Sequence, residues 1–217
     1  MHRLILVDEL PLYRRGIIEL IRRQPDLEVC AEFSDRSSAL AGITDATDTD
    51  LVVLELSRQD GAGVDLIKDL RIQQPRLRIL VLSQYPENLH AERVLQAGAS
   101  GFVSKYEEDG VVLGAIRAVL EGRTYFSARV SSQLALRYLG VGVMEAASPI
   151  HGLTNRELQV FRLIGSGKPT RGIAAALGLS VKTIETYLEH LKRKLGVGSG
   201  VALTHRAVQW VERGMAD

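Results

Sequence analysis

The chain has 217 residues, of which 46% are hydrophobic and 24% charged, which is enough apolar material for two domains with cores of their own. The net charge is only +1, but residues 151–217 carry ten Lys and Arg against five Asp and Glu, so this half favours a polyanionic partner. The single cysteine, Cys30, excludes a disulfide framework. No apolar run approaches the roughly 18 residues that span a membrane, so we expect a cytoplasmic protein without a membrane partner.

Residues 1–125 alternate short apolar runs with helical patterns. The apolar runs lie at 4–7, 27–33, 51–56, 77–83 and 101–104, and the helical patterns lie near 11–23, 35–46, 63–73, 87–97 and 108–121. Nearly continuous apolar strands are typical of a parallel sheet that is covered by helices on both faces. We therefore predict an α/β domain over residues 1–125, with a doubly wound sheet of five parallel strands.

The rest of the chain predicts a linker and a helical domain. Residues 126–140 have the pattern of one more helix, and residues 140–152 lose periodicity and collect Gly, Ala, Ser and Pro. We therefore predict a linker helix and a flexible linker over residues 126–150. Beyond them, four helical patterns separated by glycines predict an all-α domain over residues 151–217.

Polar side chains stand at the carboxyl ends of four of the predicted strands. They are Asp8 and Glu9 after the first strand, Glu55 on the third, Ser83 on the fourth and Lys105 after the fifth. Because such ends converge on one edge of a doubly wound sheet, we expect these residues to form one site. Clustered carboxylates repel one another and need a cation, which is the lysine, a hard divalent ion such as Mg²⁺, or both. A polar residue where a strand meets solvent explains any one of them, but explains all five less well.

The segments "LILVDELPLYRRGI", "ILVLSQYPE" and "AGASGFVSK" resemble the receiver domain of bacterial two-component response regulators. The resemblance implies a flavodoxin-like strand order and makes Asp8 and Glu9 a candidate Mg²⁺ site. It also implies a switch hydroxyl at Ser83, a switch aromatic at Phe102 and a functional lysine at Lys105. A histidine kinase or another regulatory protein becomes a candidate partner.

Glu55 departs from this family, which has a phosphoryl-accepting aspartate at its position. Arg58-Gln59 also replace the usual Met-Pro, while Gly63 keeps the expected spacing. Phosphoryl transfer depends on in-line positioning, and the extra methylene moves the carboxylate by more than about one ångström, so we do not expect ordinary phosphorylation.

Three roles for Glu55 follow from this departure. It mimics the phosphorylated state, it belongs to a vestigial site held by Lys105, or the domain answers to another input. Two alternatives for the whole protein remain beside them. One is a receiver phosphorylated at an atypical site, and the other is a degenerate receiver that acts mainly as a protein-interaction module.

The segment "LTNRELQVFRLIGSGKPTRGIAAALGLSVKTIETYLEHLKRKLGV" carries a second resemblance. Thr154 and Glu157 have the spacing of a capping box, Gly178 marks a turn, and Ser180 is suited to cap the next helix. The pattern resembles the LuxR-type helix-turn-helix of the NarL/FixJ subfamily, and the two resemblances together cover nearly the whole chain. They imply a transcription regulator that binds double-stranded DNA, not an enzyme.

The helix after Ser180 has an apolar stripe, and the residues largely off that stripe are candidates for DNA contact. The predicted contacts to base edges are made by Glu185, Thr186 and Glu189. The predicted contacts to phosphates are made by Lys182, Thr183, Lys192, Arg193 and Lys194. His190 also belongs to the predicted DNA-binding set. An amphipathic helix with a solvated charged face is the alternative.

The last predicted helix places four side chains on one side. They are Leu203, Ala207, Trp210 and Val211. In the resembling family this helix mediates dimerisation on DNA, which implies a homodimer that matches a two-fold symmetric operator. The alternative is that these side chains pack within the four-helix domain.

Overall fold

The computed structural model describes residues 1–45, 48–56, 62–138, 149–150 and 152–213. The chain divides into two compact units, which we describe separately. Among the helices of the described ranges, none combines the length and the apolar character that crossing a membrane requires.

The first unit contains a five-stranded parallel sheet. Its strands are β1 (His2–Val7), β2 (Leu27–Phe33), β3 (Leu51–Leu54), β4 (Arg78–Ser83) and β5 (Gly101–Ser104). Its helices are α1 (Pro11–Arg22), α2 (Arg36–Asp45), α3 (Ala62–Gln73), α4 (Glu87–Ala97), α5 (Asp109–Leu120) and α6 (Ala128–Tyr138). All neighbouring strands pair in parallel, in the order β2-β1-β3-β4-β5. The predicted doubly wound sheet and its flavodoxin-like order are confirmed.

Alternation along the strands builds an apolar layer on each face of the sheet. On one face Leu4, Val53 and Leu80 belong to a buried cluster with side chains of α1 and α5. The intervening residues, such as Val52 and Ile79, are equally buried and point to the opposite face. Burial on both faces explains why the strands are apolar almost throughout.

Helix α6 belongs to the first unit. It packs against α4, the Ser127 backbone N–H donates to Glu87 Oε1 at 2.8 Å, and Val130 is buried. Ahead of it, Tyr125 accepts at its carbonyl from the Phe102 N–H at 2.8 Å, beside the edge strand β5. The helix predicted as a linker thus packs on the first domain. The predicted flexible linker, apart from residues 149–150, lies outside the described residues.

The second unit contains four helices with well-defined ends. They are α7 (Asn155–Gly165), α8 (Thr170–Leu177), α9 (Val181–Leu195) and α10 (Gly200–Glu212). Thr154 and Glu157 form the predicted capping box, and Ser180 accepts from the Thr183 N–H as the cap of α9. Gly178 ends α8 in the left-handed conformation, which makes the turn into α9.

Close contact between α7 and α10 holds this unit together. The rings of Phe161 and Trp210 lie 5.4 Å apart. A Cβ on Gly165 would lie 2.3 Å from the carbonyl oxygen of Ala207, so only glycine lets the two backbones approach this closely.

Replacing Gly165 by alanine should therefore destabilise the helical unit, because the added methyl group must push α10 away. We expect a loss of about 1–3 kcal/mol in the free energy of unfolding, measured by thermal denaturation of the full chain. Gly198→Ala is the matched control, since a Cβ there meets no atom within 4 Å. Equal melting curves for the two variants would contradict this account of the α7–α10 contact.

Candidate functional site

The sheet brings three charged side chains to one edge of the first unit. The Glu55 backbone N–H donates to the Val7 carbonyl at 2.8 Å, which places Glu55 beside Asp8. The Lys105 N–H donates to the Ser83 carbonyl, also at 2.8 Å, so Lys105 continues the line of β5. The strand ends therefore converge as predicted.

Lys105 lies between two buried carboxylates. Its Nζ is 2.6 Å from Asp8 Oδ2 and makes a second ion pair with Glu55 Oε2. The side chain of Lys105 is 4% exposed, and those of Asp8 and Glu55 are 3% exposed, so solvent hardly screens the three charges. Glu55 Oε1 has no hydrogen-bond partner within the described part of the chain. The three side chains form a closed cluster.

Tyr13 of α1 completes the surroundings of the lysine. Lys105 Nζ lies 4.1 Å from the centroid of the Tyr13 ring, a cation–π contact. Burial and the nearby charges of Asp8 and Asp109 raise the pKa of Tyr13 to about 12, so the ring stays neutral. Burial lowers the pKa of Lys105, while the hydrogen bond from Lys105 to Asp8 acts in the opposite direction. The cluster therefore includes an aromatic wall.

Asp8, one of the two residues of the predicted Mg²⁺ site, makes hydrogen bonds within the protein, and the Mg²⁺ site stays a prediction. Asp8 Oδ1 accepts from the Leu10 N–H at 2.8 Å, and Asp8 Oδ2 accepts from Lys105. Among the described residues, no group of three or more His, Cys, Asp or Glu side chains is arranged to hold a metal ion. Glu9, the other residue of the predicted Mg²⁺ site, is partly exposed. Lys105 supplies the positive charge that the carboxylates need.

Ser83 and Phe102, the two predicted switch residues, are both inside the first unit. Ser83 is fully buried, and its Oγ accepts from the Tyr85 N–H at 3.2 Å. Phe102 is 1% exposed and lies in β5 opposite Val81 of β4. The hydroxyl thus contacts the chain that follows β4.

Sequence reasoning missed two neighbours of the acidic pair. Tyr13 was not singled out, and neither was Arg14, whose Nη1 donates to the Asp8 carbonyl at 2.7 Å while its Nε pairs with Glu32 at 2.6 Å. Their position in the sequence could have identified them, because both residues lie in the first turn of the helix that follows the acidic strand end.

Helix α9 presents most of the predicted DNA-binding side chains to solvent. The exposed ones are Lys182, Glu185, Thr186, Glu189, Arg193 and Lys194, and the half-buried ones are Thr183, His190 and Lys192. On the opposite side Ile184, Leu191 and Leu195 are buried in the core of the unit. The apolar stripe and the polar surface predicted for this helix are both present.

Several of these side chains already have partners within α9 or its cap. Thr183 bonds to the Ser180 hydroxyl through both its N–H and its Oγ1, so it helps to cap the helix. Thr186 Oγ1 donates to the Lys182 carbonyl at 3.1 Å. Lys192 Nζ pairs with Glu189 at 2.8 Å.

Glu157 connects α7 to the end of α9. Its side chain is 4% exposed, and Oε2 accepts from the Thr154 N–H and from Lys194 Nζ, each at 2.7 Å. Burial acts to raise the pKa of Glu157, but these hydrogen bonds and the lysine charge outweigh it and hold the pKa below its ordinary range. His190 Nδ1 is 4.0 Å from Oε1 of the same carboxylate. Lys194 thus fixes α9 on α7.

Three of the four side chains assigned to dimerisation lie in the core instead. Leu203, Ala207 and Trp210 are 2%, 0% and 4% exposed, and Val211 is half-buried. Leu203, Ala207 and Trp210 pack α10 against the rest of the four-helix unit. For these three residues the assignment to dimerisation is corrected to packing within the domain, the alternative stated for them, and for Val211 it stays a prediction.

Two basic residues at the start of α8 were missed by the sequence reasoning. Lys168, just before the N-cap Pro169, and Arg171, the second residue of α8, are both exposed. The signal was their position at the start of the first helix of the helix-turn-helix, where the chain approaches the DNA backbone in this motif.

The lowered pKa of Glu157 predicts a pH-dependent contribution to stability. Since a lowered pKa favours the folded state only when the group is ionised, the contribution is present above the ordinary pKa of 4.5 and is lost as the pH falls through the folded value. Glu157→Gln keeps a capping side chain but removes the charge. We expect it to cost about 1.5–3 kcal/mol near neutral pH, with the difference from the native chain shrinking in acid.

Chemical denaturation between about pH 3 and pH 7 measures this difference. Glu189→Gln serves as the control, because the Glu189 side chain is 71% exposed and should contribute little. A Glu157→Gln difference that is independent of pH would show that the ion pair with Lys194 is not its source.

Comparison with known proteins agrees with this two-part architecture. The response regulator receiver domain model matches residues 4–117, and the model of the luxR family of bacterial regulatory proteins matches residues 151–207. The transcriptional activator protein ExaE of Pseudomonas putida is 34% identical over 95% of this chain and 95% of its own length. The nitrate/nitrite response regulator protein NarP of Escherichia coli K12 is 34% identical over 93% of this chain and 92% of its own length.

One solved structure matches nearly the whole chain, and another matches part of it. RcsB of Salmonella enterica serovar Typhimurium, bound to the rprA promoter in the presence of BeF3⁻, is 27% identical, with a TM-score of 0.67 over 95% of this chain and 98% of that chain. A LuxR-family response regulator from Aurantimonas sp. SI85-9A1 is 31% identical, with a TM-score of 0.57 over 63% of this chain and 97% of that chain. The chain therefore belongs to the NarL/FixJ subfamily of two-component response regulators, with a receiver domain followed by a LuxR-type helix-turn-helix domain.

Proposed function

We propose that the protein is a cytoplasmic, homodimeric transcription regulator whose receiver is not switched by ordinary aspartyl phosphorylation. The DNA-binding part is supported by its relatives, among them an activator and a nitrate/nitrite response regulator. The observation that carries the second part is the ion pairing of Lys105 with Asp8 and Glu55 inside a buried cluster.

The geometry around Glu55 opposes phosphoryl transfer in three ways. The acceptor carboxylate has one methylene more than an aspartate. Its Oε2 is occupied by Lys105, and its side chain is 3% exposed, so a donor cannot approach in line.

The same contacts give the receiver one preferred state. Glu55 carries a fixed negative charge that reaches Lys105 without phosphate. Removing one partner of a buried ion pair leaves an uncompensated charge, so the cluster resists rearrangement. We infer a receiver whose control comes from an input other than a phosphoryl group.

The exposed face of α9 supports selective binding of DNA. A recognition helix inserts its N-terminal part into the major groove, which places Glu185, Thr186 and Glu189 at base edges. A glutamate accepts from the N4 amino group of cytosine. Lys182 and Arg193, together with Lys168 and Arg171 at the start of α8, would contact phosphates. The carboxylates of Glu185 and Glu189 on the exposed face of α9 repel phosphates and weaken sequence-independent affinity for DNA, so we expect a selective binder.

Incubation with acetyl phosphate and Mg²⁺ should leave the native chain unmodified, because Glu55 is misplaced and paired with Lys105. Intact-mass spectrometry measures the adduct. Glu55→Asp shortens the side chain to that of an ordinary acceptor and should gain a phosphoryl adduct, whereas Glu55→Gln should remain unmodified. A single phosphate on the native chain that disappears in Glu55→Gln would overturn the proposal.

Footprinting of the full-length protein on genomic DNA should reveal a specific two-fold symmetric site. Glu185→Ala should relax the preference at one base pair of each half-site, with a loss of about 1–3 kcal/mol of discrimination. Arg193→Ala should instead weaken binding to all sequences and lower the salt dependence of log K by about one. Lys68→Ala, in the first unit, is the control. Failure to find any protected sequence would refute the DNA-binding role.

A further inference from the structure

The last turn of α9 leaves backbone carbonyls that the helix cannot satisfy by itself. The final four carbonyls of an α-helix have no N–H partner further along the same helix. After α9 the chain turns at Gly196, which is left-handed with a φ of 66°, and the N–H groups of Gly196 and Val197 both donate to the Lys192 carbonyl. Both donors of this turn are thus used at Lys192, and the carbonyl of Leu195, the last residue of α9, takes its donor from elsewhere.

Arg206 of α10 supplies that donor. Its Nη1 donates to the Leu195 carbonyl at 2.8 Å. Arg206 is the seventh residue of α10 and is half-buried. A cation at the C-terminus of a helix interacts favourably with the helix dipole, and a planar guanidinium directs its N–H groups more rigidly than an ammonium does. An arginine of the last helix therefore closes the end of the proposed recognition helix.

The partner of Arg206 is a backbone group and not an acid. Within the described part of the chain Arg206 forms no ion pair with a carboxylate, whereas Arg117, for comparison, pairs with Asp26 at 3.1 Å. An ion pair between exposed side chains constrains two flexible groups, but a bond to a helix carbonyl constrains the helix backbone. The contact of Arg206 therefore bears directly on the position of α9.

A second contact holds the neighbouring residue of α9 from a different helix. Lys194 Nζ pairs with Glu157 of α7 at 2.7 Å. A carbonyl points along the helix axis towards its C-terminus, whereas a side chain points away from the axis, and successive residues are about 100° apart around it. The two contacts therefore hold the last turn of α9 from two helices and in two directions. Together they restrict rotation about the axis and displacement along it.

The rotation of α9 decides where its exposed side chains point. Glu185, one of the side chains that we assign to base contact, lies about 15 Å along the axis from Leu195, because a helix rises about 1.5 Å per residue. Side-chain ends lie about 6 Å from the axis, so a rotation of about 10° displaces them by about 1 Å. Such a displacement takes a hydrogen bond to a base edge outside its normal range of distances. The buried apolar contacts of Ile184 and Leu191 are less directional and resist the rotation less.

We propose that Arg206 is a positioning residue for DNA recognition, which fixes the rotation of α9 by donating to the Leu195 carbonyl and does not itself contact DNA. The assignment rests on the proposed role of α9 as the recognition helix. It adds to that role a residue of α10 that lies outside the exposed face of α9.

Fluorescence anisotropy with the full chain tests this role on two DNA duplexes. One carries a site that the native chain protects in footprinting, and the other contains the same bases in scrambled order. Arg206→Met removes the guanidinium and keeps a long apolar side chain. It should weaken binding to the protected site about tenfold, while the affinity for the scrambled duplex and the dependence of log K on log salt stay those of the native chain.

Two further variants separate position from charge. Arg213→Met makes the same change of charge at an exposed residue that follows α10, and it should bind both duplexes like the native chain. Arg206→Lys keeps a cationic donor and should recover part of the lost affinity for the protected site. An equal loss on both duplexes in Arg206→Met, with the salt dependence lowered by about one, would show a phosphate contact and overturn the positioning role.

Amide hydrogen exchange of the full chain without DNA locates the effect within the helical unit. In Arg206→Met the amides of the last turn of α9 should exchange faster, and those of α7 should exchange as in the native chain. Faster exchange throughout the unit would mean that Arg206 supports overall stability, which would overturn the proposal.

The outcomes also distinguish this proposal from the proposed function. A native chain that selects a site, with Arg206→Met binding it equally well, refutes the positioning role alone. A native chain that selects no site refutes the proposed function and the positioning role with it.

Discussion

The contact of one buried ammonium with two buried carboxylates organises the receiver. Three strand ends meet where Lys105 joins Asp8 and Glu55, and the first turn of α1 closes over them with Tyr13. Isolated charges in such surroundings would be costly, so each group needs the others. The sheet edge, the acidic strand end and the start of α1 consequently depend on one another for their arrangement.

The helical domain also contains a buried carboxylate that is paired with a lysine. Glu157, almost fully buried, is satisfied by the backbone of its own helix cap and by Lys194 from the far end of α9. This ion pair links α7, the first helix of the domain, to α9, the proposed recognition helix. A lysine that sequence alone assigns to phosphate has a structural partner here, which explains why charge and position are insufficient to assign its role.

The sequence predicted most of the architecture because the responsible signals are local. Apolar runs identified the strands, and capping residues such as Thr154 and Ser180 identified the starts of the helices. The convergence of Asp8, Glu55 and Lys105 followed from the rule for parallel strand ends. What could not be predicted depends on tertiary distances: the aromatic wall of Tyr13, the packing of α6 on the first domain, and the burial of Trp210. A hydrophobic stripe has the same pattern whether it faces a core or a second copy.

The hydrogen bond from Thr186 to the Lys182 carbonyl changes what the exposed face of α9 offers to a base. Its hydroxyl proton is already used by the helix backbone, so toward a base this threonine offers only lone pairs and a methyl group. Glu185 and Glu189 on the same side also only accept. The central surface of the proposed recognition helix is thus an acceptor surface. If α9 enters the major groove as proposed, this surface would be complementary to the exocyclic amines of cytosine and adenine and would be repelled by the O6 and N7 of guanine, the inverse of the common arginine–guanine pairing.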